Sequence, residues 1–222
     1  MNNILIKVEN LVKTFGGLVA LNDCSLEIKD KAITGIIGPN GSGKTTLFNV
    51  ITGNLKPDTG KVFYNGVEIT NEESHDLFHL GVLRTFQIAH EFSNMTVIEN
   101  LMVVPGNQKG EKLLYSLMNS QKIKKEDELI KDKAMEVLKF LKIEHLKNER
   151  AGNLSGGQKK LLELARTMMV DAKIVFLDEV GAGVNKTLLR DISDSILKLN
   201  QDKGYTFCTV SYTHLRAHET WS

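Results

Sequence analysis

Gly38-Pro39-Asn40-Gly41-Ser42-Gly43-Lys44-Thr45 fits the spacing G-x-x-x-x-G-K-[ST], and its neighbours decide how it is read. Ahead of it, Ala32-Ile33-Thr34-Gly35-Ile36-Ile37 has the make-up of a short buried strand. Behind it, Thr46-Leu47-Phe48-Asn49-Val50-Ile51 reads as the first turns of a helix. A glycine-rich turn from strand to helix lets successive backbone N–H groups curl around phosphate oxygens at a helix N-terminus, where the dipole favours negative charge. Lys44 adds a point charge at the β- and γ-phosphate oxygens, and the Thr45 hydroxyl is placed to ligate Mg²⁺. A plain turn with an incidental lysine is the alternative, and it needs the glycines, the lysine and both flanks to coincide. The stretch is therefore read as a nucleoside triphosphate site on an α/β core.

The composition sets the limits. At 222 residues, 41% hydrophobic and 25% charged, the chain can bury one substantial core with room for a subdomain. A net charge of +1, from 28 basic and 27 acidic residues, gives no surface suited to coating nucleic acid. Cys24 and Cys208 lie far apart without metal-type spacing, so a reduced compartment is the simpler setting. The N-terminus lacks a signal-peptide apolar stretch, and no apolar run approaches membrane-spanning length. Membrane association is expected only through a partner.

In chain order, Ile4–Glu9 and Cys24–Ile28 have the partial alternation of strands, with a turn at Lys13–Gly17 between them. The aromatic in that turn, Phe15, suits a buried staple or a functional contact equally. Gly53–Gly60 is dense in turn formers, and Lys61–Ile69 reads as a hairpin turning at Asn65-Gly66. Gly81–Gln87 is a third strand candidate. From about 88 to 150 the pattern is mostly helical, with Met135, Val137, Leu138 and Leu141 on one face, and Lys122–Lys133 reads as a solvated face. Leu154-Ser155-Gly156-Gly157-Gln158 then opens an apolar helix, with Ser155 as its cap. Lys173–Glu179 is a buried parallel-type strand ending in two carboxylates, and Thr206–Val210 is the next such strand. Beside a P-loop, Asp178 is placed to hold Mg²⁺ through water and Glu179 to polarise an attacking water.

In this order the P-loop, Gln87, Leu154–Gln158 and Asp178-Glu179 resemble the ATP-binding subunits of ABC transporters, from about residue 4 to Val210. The resemblance implies a P-loop NTPase (RecA-like) α/β core with an N-terminal antiparallel β subdomain and an inserted α-helical subdomain. Core and β subdomain would occupy about 1–87 and 155–210, and the helical subdomain about 88–154. It also implies that Phe15 stacks on adenine, and that Gly38, Pro39, Asn40, Gly41, Ser42, Gly43, Lys44, Thr45 and Thr46 hold ATP. Gln87, the Q-loop residue, would touch Mg²⁺ together with Thr45 and Asp178. Glu179 would be the catalytic base, with Lys44 the catalytic cation. Leu154, Ser155, Gly156, Gly157 and Gln158 would bind the ATP held by an opposite subunit. The implied partners are a second, paralogous cassette in a head-to-tail dimer, transmembrane permease subunits and, indirectly, a solute-binding protein. The implied place is cytoplasmic, on the inner face of the cell membrane. Thr14–Leu21, Arg84-Thr85-Phe86-Gln87 and Met95–Leu101 look most like the larger ATPase of branched-chain amino-acid importers, while urea importers and lipopolysaccharide exporters carry related subunits.

Val180 stands where the family usually has proline, and Asn185 where many members have aspartate; little damage is expected from either. After Val210 the family continues glutamate-histidine-aspartate, whereas this chain runs Ser211 to Ser222. Val210–Thr220 looks like a translated sequencing adapter, so the native sequence is expected to be cut near Val210, leaving 211–222 as a non-native tail. His214 falls two positions beyond the family's switch histidine and is not assigned that role. The chain as written is then expected to bind ATP but to hydrolyse it poorly.

Overall fold

The computed structural model describes residues 3–85, 91–106, 120–170, 172–178 and 186–210. The chain opens with two twelve-residue antiparallel strands, β1 (Ile4–Phe15) and β2 (Leu18–Lys29). Both are longer than their alternation predicts. Asn10 and Asp23 adopt positive φ (50° and 52°), and the pairing shifts register between Val8 and Leu11. A bulge of this kind breaks alternation without ending the strand. The Asn10 side chain donates to Asp23 Oδ1 at 2.6 Å, tying the irregularity across the pair. The expected turn at Lys13–Gly17 shrinks to Gly16-Gly17.

After β3 (Ile33–Ile36) come α1 (Lys44–Ile51), β4 (Thr59–Tyr64) and β5 (Val67–Glu68). The β4–β5 hairpin turns at Asn65-Gly66, where both φ values are positive (49° and 78°), as a tight two-residue turn requires. Then follow α2 (Ser74–His79), β6 (Val82–Arg84), α3 (Val97–Met102), α4 (Ser120–Phe140), α5 (Gly156–Met169), β7 (Ile174–Asp178), α6 (Lys186–Lys203) and β8 (Thr206–Val210). The helix α6 has no counterpart among the sequence expectations, although its buried Ile192 and Leu199 keep helical spacing.

Two four-stranded sheets result, one ordered β2-β1-β4-β5 and the other β3-β8-β7-β6. The pairings of β3 with β8, β8 with β7 and β7 with β6 are all parallel. Every residue of β7 and β8 is buried, as the apolar run Ile174–Leu177 predicts for β7; β8 buries Thr206 and Thr209 among its apolar residues. The strand β3 departs from its expected burial: it is half-covered, with Ile37 just beyond it 80% exposed, because it forms one edge of the described sheet.

Backbone contacts divide the chain into two units, Met1–Gln87 with Ala172–Val184 and Ile196–Ser222, and Ile88–Asp171 with Asn185–Ser195. In the first, Ile6, Val8, Leu11, Ile28, Phe48, Val62 and Phe176 share one apolar cluster. The Phe48 and Phe176 rings meet edge to face, 5.0 Å between centroids. Burying each such side chain contributes about 1.5–3 kcal/mol. The second unit holds α3, α4 and α5, with Val97, Leu101, Ala134, Val137, Leu138 and Leu161 buried. It runs past the limit expected at Leu154, because α5 packs against α3 and α4.

Candidate functional site

The P-loop joins β3 to α1 as the spacing predicts. Gly43 is the residue before the helix, with φ +85° and no side-chain cap, and the first turn of α1 carries no acidic residue. The positive end of α1 is therefore neither capped by a side chain nor neutralised, as an anion site at a helix N-terminus requires. Lys44 Nζ donates to the carbonyl oxygens of Gly38 (2.9 Å) and Pro39 (2.6 Å) and to Ser42 Oγ (3.3 Å), so its three donors all turn onto the loop. Asn40, Gly41, Ser42 and Thr45 are exposed on this rim, and Thr46 is half-buried.

Phe15 closes β1 and is 49% exposed, so of the two readings left open by the sequence, a buried staple is excluded. Its strand end is held by a carboxylate, Asp58, that no sequence pattern singles out. Asp58 accepts from Lys13 Nζ (2.8 Å), Thr14 N (2.7 Å) and Thr14 Oγ1 (2.7 Å), and Lys13 Nζ lies 5.7 Å from the Phe15 ring centroid. The hydrogen bond from Lys13, followed by those from Thr14, pulls the Asp58 carboxyl down to about 2. A depressed carboxyl stabilises the fold above its unfolded value, about 3.9, and ceases to do so as pH falls towards its folded value. Asp58→Asn is therefore expected to lower the melting temperature at neutral pH, with the gap from wild type closing between about pH 4 and pH 2. A gap unchanged across that range, measured by circular dichroism melts, would remove Asp58 from this role.

Asp178 ends β7 and is 3% exposed. Its Oδ2 accepts from an Arg84 guanidinium nitrogen at 2.7 Å, while its Oδ1 is buried without a hydrogen-bond donor. Arg84 also donates to Asn49 Oδ1, on α1. Neither Arg84 nor Asn49 was given a role from sequence, although an arginine closing the apolar strand Val82-Leu83 signals that a buried partner is needed. A buried acceptor with no partner is what a cation-bound water would satisfy. Among the described residues no group of three or more His, Cys, Asp or Glu is gathered to hold a metal. The donor set thus fits a hydrated Mg²⁺ carried by nucleotide phosphates and touched by a hydroxyl and one carboxylate, not an all-protein cage. Gln87 and Glu179 lie outside the described residues.

In the second unit, Ser155 caps α5. Its Oγ accepts from Gln158 N (3.4 Å), and Gln158 Oε1 accepts from Ser155 N (2.9 Å). This reciprocal box leaves Ser155 and Gly156 exposed at a positive helix end, while Leu154 and Gly157 are buried. The same device recurs at α3, where Thr96 and Glu99 cap each other. Lys159 reaches back to Glu91 at 2.7 Å. Burial alone would raise the Glu91 carboxyl, but the hydrogen bond and charge of Lys159 hold it below the usual range.

Comparison with known proteins accounts for this set of features. The family described as ABC transporter matches residues 21–182. The probable branched-chain amino acid transport ATP-binding protein LivG of Methanocaldococcus jannaschii is 45% identical over 208 residues, covering 94% of this chain and 80% of the relative. A crystal structure of the ADP conformation of an ATP-binding cassette of an ABC transporter superposes with a TM-score of 0.78 at 43% identity, covering 94% of this chain and 81% of that one. A dimeric cassette in a post-hydrolysis state, bound to ADP and Pi, matches with a TM-score of 0.75 at 25% identity, over 94% and 88% of the two chains. The match over residues 21–182 and the identity over nearly this whole chain settle the family: the chain belongs to the ABC transporter family, as one of its ATP-binding cassettes.

Proposed function

We propose that this cassette drives an importer of branched-chain amino acids. The reading rests on one observation, the near-full-length identity to a cassette of that named transport role. Within it, the α1 N-terminus and Lys44 hold the triphosphate, with Gly38–Thr46 as its cradle, and Phe15 stacks on the adenine. Thr45, Asp178 and Gln87 would hold Mg²⁺, partly through water, and the cation would supply charge neutralisation to the phosphates when bound. Glu179 accepts the proton of the water that attacks the γ-phosphorus, with ADP as leaving group. Leu154–Gln158 presents the Ser155 hydroxyl and two glycine N–H groups to nucleotide held by a second cassette.

The partners follow from that division. A head-to-tail dimer completes both ATP sites, and permease subunits receive the motion through the helical unit, with a solute-binding protein feeding them. Among the described residues no helix is long and apolar enough to cross a membrane. With the permease as its anchor, the cassette sits on the inner membrane face, in the cytoplasm. The test is reconstitution of the permease pair, the partner cassette and this chain in vesicles. ATP-dependent uptake of radiolabelled leucine is expected, slow in keeping with the poor hydrolysis expected of the chain as written, and Glu179→Gln is expected to abolish it. Uptake of urea in place of leucine would reassign the solute, and no ATP turnover by the assembled wild type would set the chain down as a nucleotide-binding fragment.

A further inference from the structure

The ion pair between Arg84 and Asp178, extended to Asn49, ties together three elements of the first unit. Asp178 ends β7, Arg84 ends β6 three residues before Gln87, and Asn49 lies on α1 behind the P-loop. The side chains of Arg84 and Asp178 are 11% and 1% exposed. Thr85 N donates to Phe176 O at 2.9 Å, so the strand carrying Arg84 is pinned beside β7. The guanidinium spans two acceptors, Asn49 Oδ1 and Asp178 Oδ2, and its Nε has no partner.

A guanidinium frequently matches a carboxylate with two parallel bonds, one to each oxygen. Here the second donor goes to Asn49 instead. Asp178 is gripped by one oxygen, and Oδ1 is left without a donor. We propose that Arg84, anchored on Asn49, is a positioning residue for Asp178: it fixes the carboxylate through Oδ2 and keeps Oδ1 as the acceptor for the hydrated cation of bound ATP. This rests on the reading that Asp178 serves Mg²⁺. Because Asn49 belongs to α1 and Arg84 ends β6, the brace also sets the P-loop helix and the end of β6 relative to that one oxygen. Outer partners that orient a ligand typically change metal affinity about 10–100-fold when lost.

The decisive measurement is Mn²⁺ binding, by electron paramagnetic resonance, to the purified chain saturated with a non-hydrolysable ATP analogue. Affinity for a fluorescent ATP analogue in EDTA and a thermal melt accompany it for every variant. Arg84→Gln is expected to weaken Mn²⁺ binding about tenfold or more while nucleotide affinity in EDTA stays within about twofold. Arg84→Lys, a point charge unable to span both acceptors, recovers only part of the loss. Should Arg84→Gln fail to fold, Asn49→Ala decides, because it frees the guanidinium while keeping the buried charge paired. A clear loss of Mn²⁺ affinity in Asn49→Ala supports the brace. Mn²⁺ affinity within twofold of wild type in folded Arg84→Lys and Asn49→Ala, with Asp178→Asn losing it, overturns the proposal alone. Unchanged Mn²⁺ affinity in Asp178→Asn overturns the metal reading and the proposal with it.

Discussion

Lys44→Ala is expected to reduce ATP affinity by roughly thirtyfold to several thousandfold, the equivalent of losing one partner of a desolvated charge contact worth about 2–5 kcal/mol. The ammonium is the one positive side chain on the rim of the uncapped α1 terminus in the described geometry, and its donors are fixed on Gly38 O, Pro39 O and Ser42 Oγ. Alanine removes both the charge that meets the triphosphate and the tie that shapes the loop. Two effects are therefore combined, and a melt separates them. Titration with a fluorescent ATP analogue should show the loss in a variant that still melts within a few degrees of wild type. Unchanged nucleotide affinity would displace Lys44 from the site.

Gly43→Ala is expected to give the largest loss of stability among P-loop substitutions. At φ +85° an L-residue is strained, and a Cβ built there meets Ala20 O at 2.3 Å and the Leu21 side chain at 3.1 Å. The closest partner, the Ala20 carbonyl, belongs to the backbone of β2 and cannot turn away as the Leu21 side chain can. Left-handed strain of about 1–2 kcal/mol and overpacking of about 1–3 kcal/mol together come to about 2–5 kcal/mol. For a domain of this size that lowers the melting temperature by roughly 5–15 °C. Gly41→Ala is the control: its φ is +79° but nothing lies within 4 Å of the added carbon, so only the strain remains. Equal melting temperatures for the two variants would show that the contact with Ala20 is relieved without cost.

What was legible in the chain was what is local. The P-loop lies within eight consecutive residues between a strand and a helix. The β4–β5 hairpin is announced by Asn65-Gly66, and β7 by the apolar run Ile174–Leu177. The Ser155 cap follows from the identity and spacing of Ser155 and Gln158. Legibility failed where a local rule was overridden or where contacts are remote in sequence. β1 and β2 continue through Asn10 and Asp23, residues that ordinarily end strands, because their positive φ is accommodated in bulges. β3 has the composition of a covered strand yet lies at an edge, which depends on strand order and not on its own residues. Arg84 with Asp178, and Asp58 with Thr14, are pairings between segments that no spacing rule connects. Asp58 sits in a run of turn formers, where a carboxylate normally needs no partner beyond its own turn.

The parallel sheet is ordered β3-β8-β7-β6, so the last of the described strands fills the place beside the P-loop strand, with Ile33 opposite Phe207 and Ile36 opposite Val210. On the ribosome, β3 therefore emerges long before β8, its neighbour in the described sheet. Closing so long a loop is slow, and an unpaired apolar strand is exposed to wrong partners meanwhile. The antiparallel sheet, whose strands are close in sequence, can assemble first and shelter α1. The nucleotide cradle takes its described shape only once β8 has entered between β3 and β7. The capacity to bind ATP thus waits on the synthesis of β8, and a nascent chain released before it would carry every residue of the P-loop without the strand that sets its direction.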